Sequence, residues 1–239
     1  MIYKTNYNEQ EDFQADVKNP FADSNAPKQK SGVVKPVPVD REVVWDKTKT
    51  LISKTDKFGN IEYANDAFIE VSSYEDFELM SQPHSIIRHP DMPRVIFKIL
   101  WDNLKAKKNF HAIIKNMAKT GRYYWVITNF EIKKDEADNI IGYVGYRKSV
   151  AESVIREHIE PLYKRLLKIE EVNGLDASEK YFLGYLEEKE TSYYQFIANL
   201  LKQAEDGETA SVETEEVPEE GDAKDVKATT KGFFARFFS

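Results

Sequence analysis

Between about residues 43 and 150, apolar and polar positions alternate in short runs separated by turn residues, the period of half-buried strands. The pattern predicts strands at 51–56 and 61–64, joined by Lys57-Phe58-Gly59-Asn60, then at 110–117, 123–132 and 140–146. Lys119-Thr120-Gly121-Arg122 reads as a hairpin turn between the third and fourth. Helical spacing falls between the second and third strands. Asn65-Asp66 opens a short helix carrying Phe68, Ile69 and Val71, and 74–80 reads as a second. Ile96, Leu100 and Leu104 then share one face of a longer helix, with Phe97 and Trp101 beside them. Asp91 followed by Pro93 predicts its start, the carboxylate capping and the proline in the first turn.

Two strands, a run of helices, then three hairpin-linked strands predict an α+β fold. Its antiparallel five-stranded sheet has the helices on one face. A gap between such layers is a natural small-molecule pocket.

Beyond 150 the spacing turns helical. Ile155, Ile159, Leu162, Leu166 and Ile169 form a seam, interrupted at Pro161 by a kink or by a fresh helix from Glu160. Asn173-Gly174 stops it, and a second helix runs from Asp176 to about Ala204. This helical hairpin packs on itself or on another chain, a homodimer being one form of the second. The expected organisation is an extension at 1–42 too polar and proline-punctuated to fold, a sensor domain at 43–150, helices at 151–204, an acidic linker at 205–230 and a Phe-rich motif at 231–239. Four phenylalanines from Phe233 to Phe238 on an acidic tether predict docking on a partner groove or a membrane surface.

Charge and composition narrow the chemistry. A formal net charge of −7 argues against nucleic acid. The absence of cysteine excludes disulfides, thiolate metal sites and cysteinyl adducts, and points to a cytoplasmic home. No apolar run approaches the roughly 20 residues of a membrane span, and no secretory signal opens the chain. No dinucleotide fingerprint, carboxylate pair or nucleophile–base arrangement stands out, so the chain reads as no enzyme. What remains distinctive is Arg88-His89-Pro90-Asp91, a polar corner at the start of the helix that carries Trp101. Such a corner beside an indole suits a flat, partly anionic cofactor.

These residues resemble the PAS domains of the energy-taxis receptor family, the Aer type, which bind FAD. The matching pieces are Ala64-Asn65-Asp66-Ala67-Phe68, Gln82-Pro83-His84, Arg88-His89-Pro90-Asp91-Met92-Pro93, Trp101, Lys115-Asn116, Gly121, Tyr124-Trp125-Val126 and Glu160-Pro161-Leu162-Tyr163. The likeness covers about 61–150 and the following helix start. It implies a PAS fold, an FAD pocket and a redox or aerotaxis sensor. In that pocket Trp101 stacks near the ring and Asn116 bonds its polar edge. Arg88, His89 and Asp91 hold the ribityl or phosphate portion, and Asn65, Phe97, Tyr124 and His84 line or brace the cavity. It departs from Aer receptors in having no membrane anchor after the PAS region. That layout resembles the split, Cet-type systems, in which a cytoplasmic PAS protein signals to a separate membrane-bound chemoreceptor-like protein. A cofactor-free adaptor and a haem sensor are the alternatives. The haem reading is weakened because 92–107 contains no histidine.

Overall fold

In the computed structural model, which describes residues 35–212, the five alternating segments pair antiparallel throughout. β1 (Leu51–Asp56) and β2 (Ile61–Ala64) close through a turn in which Gly59 takes φ 85°. The Asp56 carboxylate accepts the Phe58 and Asn60 amides there. β3 (Phe110–Met117), β4 (Tyr123–Lys134) and β5 (Ile140–Lys148) form a meander that docks β5 against β1. The order is β2-β1-β5-β4-β3, which leaves β3 at an edge.

The inserted helices cover one face. α1 (Asp66–Ser72) starts at Asn65, whose Oδ1 accepts from the Phe68 amide at 3.0 Å. α2 (Asp76–Leu79) and a 3₁₀ turn (His84–Ile87) lead to α3 (Arg94–Lys105). α3 buries Ile96, Phe97, Leu100, Trp101 and Leu104, as the spacing predicts.

The start of α3 differs from the expectation. Pro93 is the N-cap residue, and Asp91 caps nothing. Its carboxylate lies two residues too early and is drawn instead to Lys115 Nζ at 2.7 Å. The first-turn amides of Arg94 and Val95 donate to Glu170.

Two boundaries also shift. Residues 35–42, assigned by sequence to the N-terminal extension, run with Val43 along the β3–β4 turn. The Val39 amide donates to Gly121 O, Tyr123 to Arg41 O and Val43 to Tyr123 O. Gly121 (φ 80°) lets this strap approach, since a Cβ there would sit 2.1 Å from Val37 O. Backbone pairing with a turn leaves no side-chain period to read. Among the described residues the C-terminal helices number three: α5 (Glu160–Asn173), α6 (Leu175–Glu188) and α7 (Tyr193–Val212). They are preceded by a short turn, α4 (Glu152–Val154), and a π-helical turn (Ile155–Ile159). Pro161 lies in the first turn of α5. The expected second helix breaks at 189–192 because Ser192 and Gln195 form a reciprocal cap. α7 continues to Val212, into the stretch assigned to the acidic linker. The Phe-rich motif and the rest of both tails lie outside the described residues.

The three helices bury their apolar faces against α3 and the β3–β4 end of the sheet. Leu162, Tyr163, Leu166, Phe182 and Ile197 share a cluster with Ile113, Trp125 and Ile127. No helix among the described residues is long and apolar enough to cross a membrane.

Candidate functional site

Strands β3 and β4 present two different chemistries on their two faces. Register sets the division: Asn116 stands opposite Tyr124 and, one residue on, Lys115 opposite Trp125.

The inner face lies under α1–α3 and carries two apolar clusters. Phe68, Val71, Leu79 and Ile87 gather with Tyr124 and Val126, whereas Ile96, Phe97, Leu100 and Trp101 gather with Ile114, Phe130 and Tyr143. Polar residues lie among and between them. Thr128 sits between Val126 and Phe130 on β4 and opposite Arg147 on β5. Asn116 Nδ2, Tyr124 Oη, Thr128 Oγ1 and Tyr74 Oη are all buried with no hydrogen-bond partner among the described residues. Leaving a polar group so costs about 1–3 kcal/mol each.

Arg147, only 2% exposed, is the charged member of this face. Its Nη1 donates to Ser53 Oγ and Gly145 O, both at 3.0 Å, and its Nη2 lies 2.9 Å from His84 Nε2. Its guanidinium stands over the Phe68 ring, 5.2 Å from the centroid. Arginine always donates, so His84 Nε2 accepts and the ring is neutral with its proton on Nδ1. Burial, then the Arg147 charge, holds His84 well below its ordinary 6.5. Burial lowers Arg147 itself to about 10. No carboxylate among the described residues pairs with it, so a buried positive charge stands uncompensated. Trp101, fully enclosed, meets Tyr143 edge-on at 5.3 Å.

On the outer face Lys115, Asp91 and Tyr163 are bonded. Lys115 Nζ bonds Asp91 Oδ2 at 2.7 Å and lies over the rings of Tyr123 and Trp125, at 4.6 and 5.7 Å. Asp91's amide donates to His89 Nδ1 at 3.1 Å. Burial and the Lys115 charge push His89 down to about 4. Burial alone would raise Asp91's carboxyl, but the Lys115 hydrogen bond and charge hold it below its usual range. The Tyr163 hydroxyl donates to Ile113 O at 2.7 Å on the edge of β3. Pro90, Asp91, Lys115 and Trp125 face Tyr163, Lys164 and Leu167 of α5 across a cleft of about 450 Å³.

The sequence-predicted residues therefore divide. Asn116 and Tyr124 pair on the inner face, where His84 bonds Arg147, with Trp101 and Phe97 on the helix above. His89 and Asp91 turn to the outer face. Arg88 links the two. Its backbone bridges to Asn116, and its guanidinium covers Phe97 at 4.2 Å. Asn65 is structural, since Oδ1 accepts the Ile52 and Phe68 amides and Nδ2 donates to Thr50 O. Arg147, Ser53, Thr128 and Tyr74 were missed by sequence reasoning. An arginine in the same strand phase as Tyr143 and Gly145 was the available signal.

Residues 61–147 match the family model described as PAS fold. Over 117 residues the chain is 41% identical to the aerotaxis receptor of Escherichia coli (strain K12), covering 49% of this chain and 23% of the receptor. It is 30% identical over 81 residues to the nitrogen fixation regulatory protein of Klebsiella pneumoniae, covering 34% of this chain and 16% of that protein. The matches thus span less than a quarter of either relative. Among solved structures, the light state of the blue-light photoreceptor Aureochrome1 LOV is similar over 48% of this chain and 93% of that one (19% identity, TM-score 0.43). The PAS domain of the fruit-fly ELK potassium channel is similar over 44% and 89% (19% identity, TM-score 0.39).

Proposed function

We propose that the chain is a sensor whose PAS-like region, residues 61–147, binds a flavin on its inner face, FAD by likeness to the aerotaxis receptors. The carrying observation is the stripe of buried Asn116 Nδ2, Tyr124 Oη and Thr128 Oγ1, without partners among the described residues, beside Arg147, which has no counter-charge among them. A planar ring with carbonyl and nitrogen atoms along one edge fits that donor and acceptor set, and its apolar end fits the Trp101 and Phe97 wall.

Bound flavin would supply a reversible change of charge and proton. The chain's part is to register it. The Asn116 amide can donate or accept by turning. Arg147, steered by neutral His84 and by Ser53, holds a fixed positive charge toward the ring site. That charge favours the more negative form of whatever lies there. Asn116 is bridged through its backbone to Arg88, at the corner that continues into α3. His89 and Asp91 seat this corner on β3 from outside. From the cytoplasm the chain then signals to a separate membrane-bound chemoreceptor-like protein, and no catalytic step is assigned to it.

The test is the visible absorption spectrum of freshly purified full-length protein, with any chromophore released by heat and identified. Flavin bands and released FAD are expected, and Asn116→Ala should weaken FAD retention about tenfold, the value of one lost hydrogen bond. A colourless protein that takes up no added FAD would leave the cofactor-free adaptor, and a Soret band would indicate haem.

A further inference from the structure

α3 is the helix over the inner pocket, yet its N-terminus is closed by a residue from the far end of α5. Glu170 Oε2 accepts from the Arg94 amide and Oε1 from the Val95 amide, both at 2.9 Å. Pro93, at the N-cap position, has no side-chain acceptor to offer. One carboxylate therefore does the work of a local cap and also faces the positive end of the helix. Other contacts between α5–α7 and the sensor domain are of different kinds. Lys98–Glu179 is a partly exposed ion pair at 2.7 Å, and Tyr163 reaches the edge carbonyl of Ile113. Glu170 alone among these grips the backbone of the helix bearing Phe97 and Trp101.

The module's connection to the sheet suits movement. Between β5 and α5 the chain passes through the π-helical turn at Ile155–Ile159, and Pro161 then removes an amide from the first turn of α5. Both features weaken the helical ladder at one place.

We propose that Glu170 is a latch that locks α5–α7 onto α3, and that the module turns about residues 155–161 when the latch opens. Its control by the pocket rests on the flavin reading above. Phe97 lies one turn from the cap, beneath Arg88. A shift of α3 that follows the ring's state moves the two amides away from the carboxylate.

Hydrogen exchange of the full-length protein, followed by mass spectrometry in the as-purified and dithionite-reduced forms, tests this. In E170A, peptides from α5 and α6 and the first turn of α3 should exchange about tenfold faster, the scale of a lost cap. Peptides from β1 and β5 should be unchanged. E170Q should fall between, since its amide oxygen accepts without the charge, and it carries the test if E170A does not fold. E179Q, which removes only the partly exposed pair, should differ little from wild type. Unchanged exchange of α5 and α6 in both Glu170 variants would overturn the latch. Reduction should speed α5–α7 exchange in wild type and add nothing in E170A. A flavin-loaded wild type whose α5–α7 peptides ignore reduction would overturn control by the pocket. If the protein holds no flavin, the flavin reading falls, and the unreduced comparison still decides the latch.

Discussion

The two faces of β3 and β4 are built from neighbouring residues and solve opposite problems. On the outside, Lys115 is buried but bonded to Asp91, and Tyr163 is buried but bonded to Ile113 O. On the inside, Asn116 Nδ2, Tyr124 Oη and Thr128 Oγ1 are equally buried and unbonded, and Arg147 has no counter-charge, among the described residues. Packing alone does not account for the difference. The inner Tyr124 and Thr128 hydroxyls would raise stability if they were apolar, whereas the outer Lys115 and Tyr163 already have what they need. The outside is finished as protein, and the inside has the composition of a site.

The largest expected effect probes the histidines on the two faces together. His84 inside is held well below 6.5 and His89 outside at about 4. In the unfolded chain both titrate near 6.5. Above that value neither state takes a proton, and stability is at its full level. Between about 6.5 and 4 the unfolded chain binds protons that the native state refuses, so stability falls as pH falls. His89 alone should contribute about 3 kcal/mol of this loss. Asp91 titrates lower and acts only below this window. Urea unfolding at pH 7.5, 6 and 5 measures the slope. His89→Gln and His84→Gln should each flatten it, and a slope indifferent to both would break the assignment of two neutral, buried rings.

A charge deletion sharpens the outer half of the comparison. Asp91→Ala leaves the Lys115 ammonium enclosed by Tyr123 and Trp125 without its anion. Because the Asp91 side chain is 57% exposed, the cost should be about 2 kcal/mol rather than that of a fully buried pair. Lys115→Met in the same background should recover most of it, since an apolar chain fits over the two rings. Failure of that rescue in urea unfolding would mean that Asp91 acts through something other than Lys115.

The division between faces explains what the sequence could and could not reveal. The five strands and α3 were legible because a period of two or of 3.6 is written in neighbouring residues. Asn116, Tyr124 and Trp101 fall on the predicted strands and helix and are buried there, while their part in a site was read from family likeness. His89 and Asp91 were grouped with them because they adjoin in sequence, but the corner wraps the edge of β3 and turns them outward. The Glu170 cap joins residues 76 and 75 positions apart, a separation that leaves no local spacing to read. The break before α7 was readable, since Ser192 and Gln195 stand at capping-box spacing, but the apolar run from Phe182 to Leu201 masked it. Arg147 lies one residue past the strand predicted at 140–146, so its inward phase went unread.

The smallest expected effect is the most direct comparison, because it makes the same change on both faces. Tyr124 and Tyr163 are both fully buried, and burial raises the pKa of both hydroxyls. Tyr163 donates to Ile113 O at 2.7 Å and meets the Tyr193 hydroxyl at 3.1 Å. Tyr124 Oη meets no partner among the described residues. Tyr163→Phe should therefore cost about 1 kcal/mol and leave two polar groups short of a bond, whereas Tyr124→Phe in the cofactor-free protein should cost nothing or stabilise by up to about 1 kcal/mol. In flavin-loaded protein the sign at Tyr124 should reverse, because the hydroxyl then has something to bond. Thermal unfolding of both variants with and without FAD reads all four values. A Tyr124→Phe loss as large in the cofactor-free form as in the loaded one would show that the hydroxyl serves the fold, and the contrast between the faces would no longer mark a site.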